Sequence, residues 1–576
     1  MASLTPDVVA APAGPAVVST VGFGNQRTTD LLDRVKRMWT LRDPFLPYWQ
    51  ELADVLLPTQ ATFTQNRQRA AQLGEGIYDG TPRLALRDLA TSIDGLIKPK
   101  TSQWFDLTVD DEALAEQDDV KRWLENTRER MWNAIYRKNA RFIQRSGEVD
   151  LNLACFGWGV LWLQENRNRN GLLFRSFHLS QCAIGEGEDG VIDSIAVEEM
   201  MTPQQAADLY RRANKTVSPE LDKRVRDPKL CNERNMRFVQ IVLPQYDRLG
   251  DGLGPRGMPF ASAVIDVTFA TIVAETGFVE FPAAVPRWET SPGEVYPRSP
   301  GMMALPDART LQAMGKTLLI GGQRAVDPPI WVSNDSIFSP LRTFPGGVTV
   351  LDTSEGGTPV GAFPVATNIP VGREMQRDYR SMVETAFFKN VFRLPVDGPS
   401  MTAYEVAQRK QEFIRIMGPV FGRLETDYIG HIAERAFGIM DRANAFLPRP
   451  LSMQESQVPV TFRFQSPIQQ VRKQIEVASM GQALAQLAPL AQAQPDIFDN
   501  FDGDQIARDA PEWSGMPTKW IKPLKDRDGQ RAQRQQQSSV AATIAAAKPV
   551  SGAIKDLAVA GAQTQDQGIM GQAPRP

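Results

Sequence analysis

Residues 303–325 read MALPDARTLQAMGKTLLIGGQRA, and residues 373–389 read REMQRDYRSMVETAFFK. In the first stretch Ala308, Leu311, Met314, Leu318, Gly322 and Ala325 recur at the three-to-four spacing of one helix face. In the second, Met375, Tyr379, Met382, Val383, Ala386 and Phe387 form a similar stripe, while Arg373, Glu374, Arg377, Asp378, Arg380 and Glu384 take the other face. Gly315, Gly321 and Gly322 each cost a helix about 1 kcal/mol relative to alanine, so the first helix needs neighbours. Between the two lies an insert, residues 327–370, with seven prolines and five glycines. It is too long for a bare loop in a compact domain and predicts a small projecting lobe. The order predicts a helical hairpin with a head on it.

Beyond the hairpin, residues 391–401 contain Pro395, Gly398 and Pro399 and predict a loop. Thr402-Ala403-Tyr404-Glu405 is a capping box that opens a helix running to about Asn444. Gly418-Pro419 predicts a kink there, because proline removes a backbone hydrogen bond and clashes with the preceding turn. The stripe Phe413, Met417, Val420, Phe421, Leu424, Tyr428, Ile432, Ala436 and Met440 continues through it and reads as core packing. Val460, Phe462 and Phe464 alternate with polar residues as in a strand, a helix follows from Pro467 to about Leu490, and past Asp526 the Gln, Ala, Gly and Ser content predicts a flexible tail.

On the N-terminal side, residues 1–24 predict a mobile arm, with order starting near Thr29. Helices are expected at Pro82–Ile97, Asp119–Lys138 and Arg141–Leu153, the last ending at Phe156-Gly157-Trp158-Gly159. Val160–Leu163, Leu172–Leu179 and Val191–Met200 read as strands of one sheet. Thr202-Pro203-Gln204-Gln205 reads as a helix start, and Phe238–Tyr246 and Ala263–Ala274 as further strands, the second extended by Gly277–Phe281. The fold class is α+β, predominantly helical.

With 64 basic and 67 acidic residues the net charge is −3, which does not suit tight wrapping of DNA or of an anionic membrane. No apolar run is long enough to span a bilayer, and Met1–Thr20 lacks the pattern of a secretory signal. The three cysteines form no CxxC pair, and the two histidines, His178 and His431, fall in separate elements, so neither a metal site nor a nucleophile–base pair is expected. His178 reads as a strand residue and His431 as a helix-face residue. Gly315-Lys316-Thr317 imitates the end of a phosphate-binding loop, but the position that needs glycine holds Thr310. That argues against a nucleotide-hydrolysing enzyme. The acidic run Glu186-Gly187-Glu188-Asp189-Gly190 reads as a solvated hairpin turn rather than a calcium loop.

Several stretches, in this order, resemble the portal (head-to-tail connector) proteins of short-tailed, double-stranded-DNA bacteriophages. They are Ile77-Tyr78-Asp79-Gly80-Thr81 through Trp104-Phe105-Asp106-Leu107; Phe156-Gly157-Trp158-Gly159; Gly301-Met302-Met303-Ala304-Leu305-Pro306-Asp307; Ala325-Val326-Asp327-Pro328-Pro329; Met401-Thr402-Ala403-Tyr404-Glu405-Val406; Met417-Gly418-Pro419-Val420; and Ser466-Pro467 with Pro495-Asp496-Ile497-Phe498-Asp499. No one motif is diagnostic; their collinear order over about Leu31 to Asp526 carries the match.

The resemblance implies a portal fold with wing, stem, clip and crown regions, closed into a ring usually of twelve copies at one capsid vertex. Its divisions would be a flexible arm (1–24), a wing (25–302), a first stem helix (303–326), a clip (327–370), a second stem helix (371–390), a tunnel loop (391–401), a long kinked wing helix (402–450), the end of the wing and crown (451–526) and a flexible tail (527–576). Arg393, Leu394, Pro395, Val396, Asp397, Gly398, Pro399 and Ser400 would line the narrowest part of the channel, with Arg393 touching phosphates in transit and Asp397 limiting retention. Lys316, Arg373, Arg377, Arg380 and Glu384 would lie on the stem, and Gly418 and Pro419 at the kink. Implied partners are further copies of the chain, double-stranded DNA in transit, the terminase large subunit, tail adaptor proteins, and the major capsid and scaffolding proteins. No cofactor, catalysis or membrane is implied; the alternatives are an ATP-dependent packaging enzyme, which the defective Gly315-Lys316-Thr317 context argues against, and a capsid or tail protein without a channel. A conduit must not hold what passes through it, and a near-neutral to acidic chain suits a duplex that gains affinity with each phosphate contact.

Overall fold

The computed structural model describes residues 23–65, 73–74, 76–115, 117–166, 168, 170–245, 257–326, 330–332, 360–362, 369–389, 418–456, 458–464, 480–481, 486, 502–504, 506–507 and 526–539. Helices α1 (Phe23–Arg42), α2 (Leu46–Leu56) and α3 (Thr81–Ile97) precede strand β1 (Phe105–Val109) and helices α4 (Glu112–Ala115), α5 (Asp118–Ile135) and α6 (Phe142–Phe156). Strands β2 (Leu161–Glu165), β3 (Leu172–Ser176), β4 (Cys182–Glu186) and β5 (Ile192–Met201) lead to α7 (Pro203–Arg212) and α8 (Pro219–Arg226). Then come β6 (Met236–Pro244), β7 (Phe260–Asp266), β8 (Thr271–Phe278) and β9 (Ala283–Ala284), followed by the long α9 (Pro300–Val326). Short strands β10 (Ile330–Val332) and β11 (Val360–Ala362) pair antiparallel, α10 (Ile369–Ala386) follows, and a π-turn (Glu425–Gly430) runs into α11 (His431–Arg442), α12 (Leu451–Ser456) and β12 (Val460–Phe464).

Contacts divide the chain into two units: Met1–Thr108 with Glu125–Pro448 and Val460–Ile468, and Val109–Leu124 with Arg449–Pro459 and Gln469–Pro576. In the first, β4 to β8 form an antiparallel meander in chain order. The period-two alternation of strand side chains gives each face its own core. Met236, Phe238 and Val264 pack under Ala206, Leu209 and Tyr210 of α7 and Leu221 of α8. Val239, Ile241 and Ile265 on the other face cover Val35 and Met38 of α1. In the second unit the Arg449 guanidinium lies 6.0 Å over the Trp123 ring, and Arg527 and Arg531 both pair with Asp504.

Several sequence expectations need correction. The strands before residue 200 do not share one sheet: β2 pairs with β3 and β9, while β5 belongs to the meander. Ala263–Ala274 is two strands joined by a turn at 267–270, where Ala270 takes φ +47°. Helix α1 starts at Phe23, ahead of the expected order near Thr29. The acidic turn between β4 and β5 is, as expected, a solvated hairpin turn with Glu186, Glu188, Asp189 and Gly190 exposed, and Arg287 donates to Glu186 (3.2 Å) and to the Gly190 carbonyl (2.6 Å). Residues 526–539, placed in the flexible tail, are helical; Arg, Gln and Ala are good helix formers, and two arginines one turn apart hold the same carboxylate.

Candidate functional site

The root of α9 shows why its flanking motifs carry glycines. The Ser299 hydroxyl donates to the Cys155 carbonyl (2.7 Å) and accepts from the Met302 N–H (2.9 Å), which caps the helix. Gly301 lies so close to Cys155 that a Cβ there would sit 2.6 Å from its carbonyl oxygen. Gly157 takes φ +88°, and a side chain on it would meet the Arg298 carbonyl at 2.9 Å. Trp158, Trp49 and Tyr296 pack with ring centroids 5.3–5.6 Å apart beneath this junction. Burial then fades along the helix. Ala304, Leu305, Ala308 and Leu311 are buried, whereas Lys316, Leu319, Ile320 and Arg324 are exposed. The distal half of α9 has α10 as its packing partner in an antiparallel arm, where Leu318 fills the space over Gly372.

Midway along this arm the loop 77–81 is clamped to both helices. Gln312 of α9 accepts from the N–H groups of Tyr78 (2.7 Å) and Asp79 (2.9 Å), and its amide donates to the Asp79 carbonyl (2.7 Å). Asp79 accepts from the Thr81 N–H (2.9 Å), from Gln376 (3.1 Å) and from Arg380 (2.8 Å) of α10. Its side chain is 2% exposed. Burial alone would raise its pKa, but the hydrogen bonds from Thr81 and Arg380 and the Arg380 charge outweigh that and hold the carboxyl below its ordinary range. Tyr78 packs over Gly315, where a Cβ would lie 3.0 Å away. The glycines at 315 and 372 thus mark close approaches.

The expected stem residues meet different fates. Lys316, Arg373 and Arg377 are exposed. Arg380 is 44% exposed and serves as the cation of the Asp79 clamp, and Glu384 pairs with Lys389. The expected inner stripe of α10 is also partly wrong: Met375 and Met382 are 49% and 53% exposed, while Gly372, Gln376 and Val383 face inward. The second helix ends at Ala386 rather than 390, with Phe388 at φ +56°. Arg393, Leu394, Pro395, Val396, Asp397, Gly398, Pro399 and Ser400 lie outside the described residues, as do most of the expected lobe at 327–370, the capping box at 402–405 and most of the helix expected from Pro467. Gly418 and Pro419 open the described part of the long helix, so the turn that Pro419 would disturb is also outside. Among the described residues, the departure from α geometry comes later, at Glu425–Gly430.

That π-turn and α11 are tied to the body by polar groups that periodicity did not reveal. The Tyr428 hydroxyl donates to Asp150 (3.3 Å), which pairs with Lys98; the two side chains of that pair are 1% and 0% exposed. Burial pushes the Asp150 carboxyl up to about 6 even though the Lys98 charge opposes it. Glu280 accepts from Arg435 (2.7 Å) and Arg442 (2.5 Å). His431 Nε2 donates to the Phe281 carbonyl (2.7 Å), and burial depresses its pKa to about 4.

Catalytic readings find no support among the described residues. Gly315-Lys316-Thr317 lies inside α9, where its N–H groups belong to the helix and cannot cradle a phosphate. His178 follows β3 rather than lying in it, with its ring on Ser180 (2.6 Å) and the Gln60 carbonyl (3.0 Å). Burial pushes the thiols of Cys155 and Cys182 up, away from reactivity. Among the described residues, no three or more His, Cys, Asp or Glu side chains are grouped to hold a metal, and no helix is long and apolar enough to cross a membrane.

Comparison with known proteins bears on what such an arm is for. The chain is 26% identical over 539 residues to the portal protein of Salmonella phage epsilon15, covering 92% of this chain and 94% of that one. It is 26% identical over 526 residues to the probable portal protein of Bordetella phage BPP-1, covering 89% and 93%. The sequence profile of the bacteriophage head to tail connecting proteins matches residues 28–521, and by that match over most of its length this chain belongs to the bacteriophage head-to-tail connecting protein family.

Proposed function

We propose that the chain is a phage portal whose copies close into a ring at one capsid vertex, forming the passage for genome packaging and ejection. In this reading α9 and α10 are the stem, residues 327–370 the clip that meets the terminase large subunit and later the tail adaptors, and residues 391–401 the tunnel loop. The major capsid and scaffolding proteins would contact the wing. Twelve copies is the number the family resemblance implies.

The observation that carries the ring is the exposed arm. Leu319 (53%), Val371 (55%), Met375 (49%) and Met382 (53%) stand open on two helices that are too thin to build a core of their own. A neighbouring arm would cover them, which is how heterologous contacts close into a ring. Native mass measurement with negative-stain microscopy tests this: a multiple of the chain mass with a central hole is expected, and a compact single copy refutes it. Shortening residues 391–401 is expected to leave the ring intact and to impair packaging or DNA retention; loss of the ring itself would refute the tunnel-loop assignment.

A further inference from the structure

The two helices of the arm present opposite charges on opposite sides. Contacts between Leu318 and Gly372 and between Gly315 and Gln376 fix the inner faces of α9 and α10. Facing away from α10, at helical spacing, are Ala313, Lys316, Ile320 and Arg324, all exposed. Facing away from α9 are Glu374, Asp378, Ser381 and Thr385, also exposed, with Val371, Met375 and Met382 along one flank. Arg373 and Arg377 lie a quarter turn round α10, on the side of Arg380. Lys316, Arg324, Glu374 and Asp378 enter no ion pair among the described residues, although Arg309 nearer the root pairs with Glu51. One side of the arm is therefore cationic with an isoleucine, and the other is anionic with two methionines and a valine.

The two sides complement each other but not themselves. A two-fold contact sets like against like, whereas a head-to-tail contact sets α9 of one copy against α10 of the next. A ring generated by rotation alone also keeps every copy at one height, so levels within one arm carry over to its neighbour. Since Gly372 lies beside Leu318 and Gln376 beside Gly315, Lys316 stands level with Glu374 and one turn from Asp378. We propose that neighbouring copies dock through these faces, Lys316 of one copy pairing with Glu374 and Asp378 of the next, while Ile320 packs on the Val371 and Met375 flank. This inference rests on the ring reading and adds the faces, the hand and the register. Exposed pairs are individually weak, so their role is to reject the wrong neighbour and the wrong level rather than to supply the bulk of the affinity.

The test uses the full chain with charge reversals at these exposed positions. Lys316→Glu sets an acid against Glu374 and Asp378 of the next copy, and Glu374→Lys with Asp378→Lys sets two lysines against Lys316. Each is expected to raise the concentration for half-assembly about fivefold or more at low salt, with the difference shrinking at high salt. Mixing the two variants in equal amounts is expected to restore rings in which they alternate. The triple reversal is expected to assemble within about twofold of the natural chain, yet to sort into separate rings when mixed with it, because a mixed contact sets like charges together. Native mass spectrometry reads all of these. Rings that form equally well with either single set of reversals overturn the pairing while leaving the ring intact. Failure of the mixture and of the triple reversal to recover also overturns it, and a natural chain that stays single refutes the ring reading itself.

Discussion

Replacing Asp79 by alanine removes the acceptor that joins loop 77–81 to α10. Three donors lose it: the Thr81 N–H, the Gln376 amide and Arg380. The Thr81 bond sits at the first turn of α3, where losing an acidic acceptor costs about 1 kcal/mol. The Gln376 bond contributes about 0.5–1 kcal/mol. Arg380 is 44% exposed, so water takes over part of its solvation and its share is held to about 1 kcal/mol. The total is about 2–3 kcal/mol. Asp79→Asn keeps the shape and one acceptor and should cost about half as much. Because the folded carboxyl lies below its ordinary pKa, its contribution is complete above the unfolded value near pH 4 and fades as pH falls through the lower folded value. Urea unfolding at pH 7 and pH 3 measures this, and hydrogen exchange should show lost protection in 77–81, 312–318 and 372–383 before the β4–β8 meander. Asp79→Ala combined with Arg380→Ala should cost less than the sum of the two by about 1 kcal/mol. Strict additivity, or a loss below about 0.5 kcal/mol for Asp79→Ala, would refute the clamp.

Four further outcomes follow from buried contacts. Lys98→Met strands the Asp150 carboxylate and is expected to cost about 3–5 kcal/mol, with Lys98→Met/Asp150→Leu recovering much of it; a double variant worse than the single in urea unfolding contradicts this. Since the folded Asp150 pKa is raised to about 6, stability relative to Asp150→Asn should fall as pH rises from about 4 to about 6 and level off above, and a slope of opposite sign in thermal melts would count against the burial argument. Gly430→Ala brings a Cβ to 2.8 Å from the Glu425 carbonyl oxygen and 3.2 Å from the Phe464 ring and should destabilise by about 1–3 kcal/mol, whereas Gly418→Ala, with open space around it, should be neutral or slightly stabilising. Glu280→Ala leaves Arg435, 0% exposed, without that carboxylate and should cost about 3 kcal/mol; a change within about 0.5 kcal/mol by chemical denaturation would mean that the anchor of α11 lies elsewhere.

The arm was legible because its helices announce themselves by period, and the capping box at Thr202, with Gln205 N–H donating to its hydroxyl (3.3 Å) and Gln205 accepting from its N–H (3.1 Å), was legible because both partners lie within one turn. What joins elements far apart in the chain was not. Period alone assigned Met375 and Met382 to the inner face of α10, since it counts apolar residues. The loop 77–81 brings backbone polar groups that Gln312 of α9 satisfies and the Asp79 carboxylate, which accepts from Gln376 on the inner face of α10. Asp79 stood inside a quoted motif with no hint of its partners on α9 and α10, which lie more than 200 positions away.

The long helix is the case where a signal was present and went unread. Leu424, Tyr428, Ile432, Ala436 and Met440 recur at strict fours. In an α-helix each step of four overshoots a turn by about 40°, so four such steps swing the stripe roughly 160° round the axis, from the body to the far side. Yet all five are buried. A helix can keep such a stripe on one side only by taking up extra residues, and a π-turn takes up one, worth about 100° of that drift. The turn at Glu425–Gly430 does this at Gly430, the residue without a Cβ to strike the Glu425 carbonyl. After it the buried apolar set becomes Ile432, Ala433, Ala436, Ile439 and Met440, the ordinary three-to-four pattern. The kink expected at Gly418-Pro419 falls on a turn outside the described residues. The run of fours points to a separate irregularity, since the apolar side chains can all reach the body only if the backbone between Leu424 and Ile432 holds one residue more than an α-helix allows.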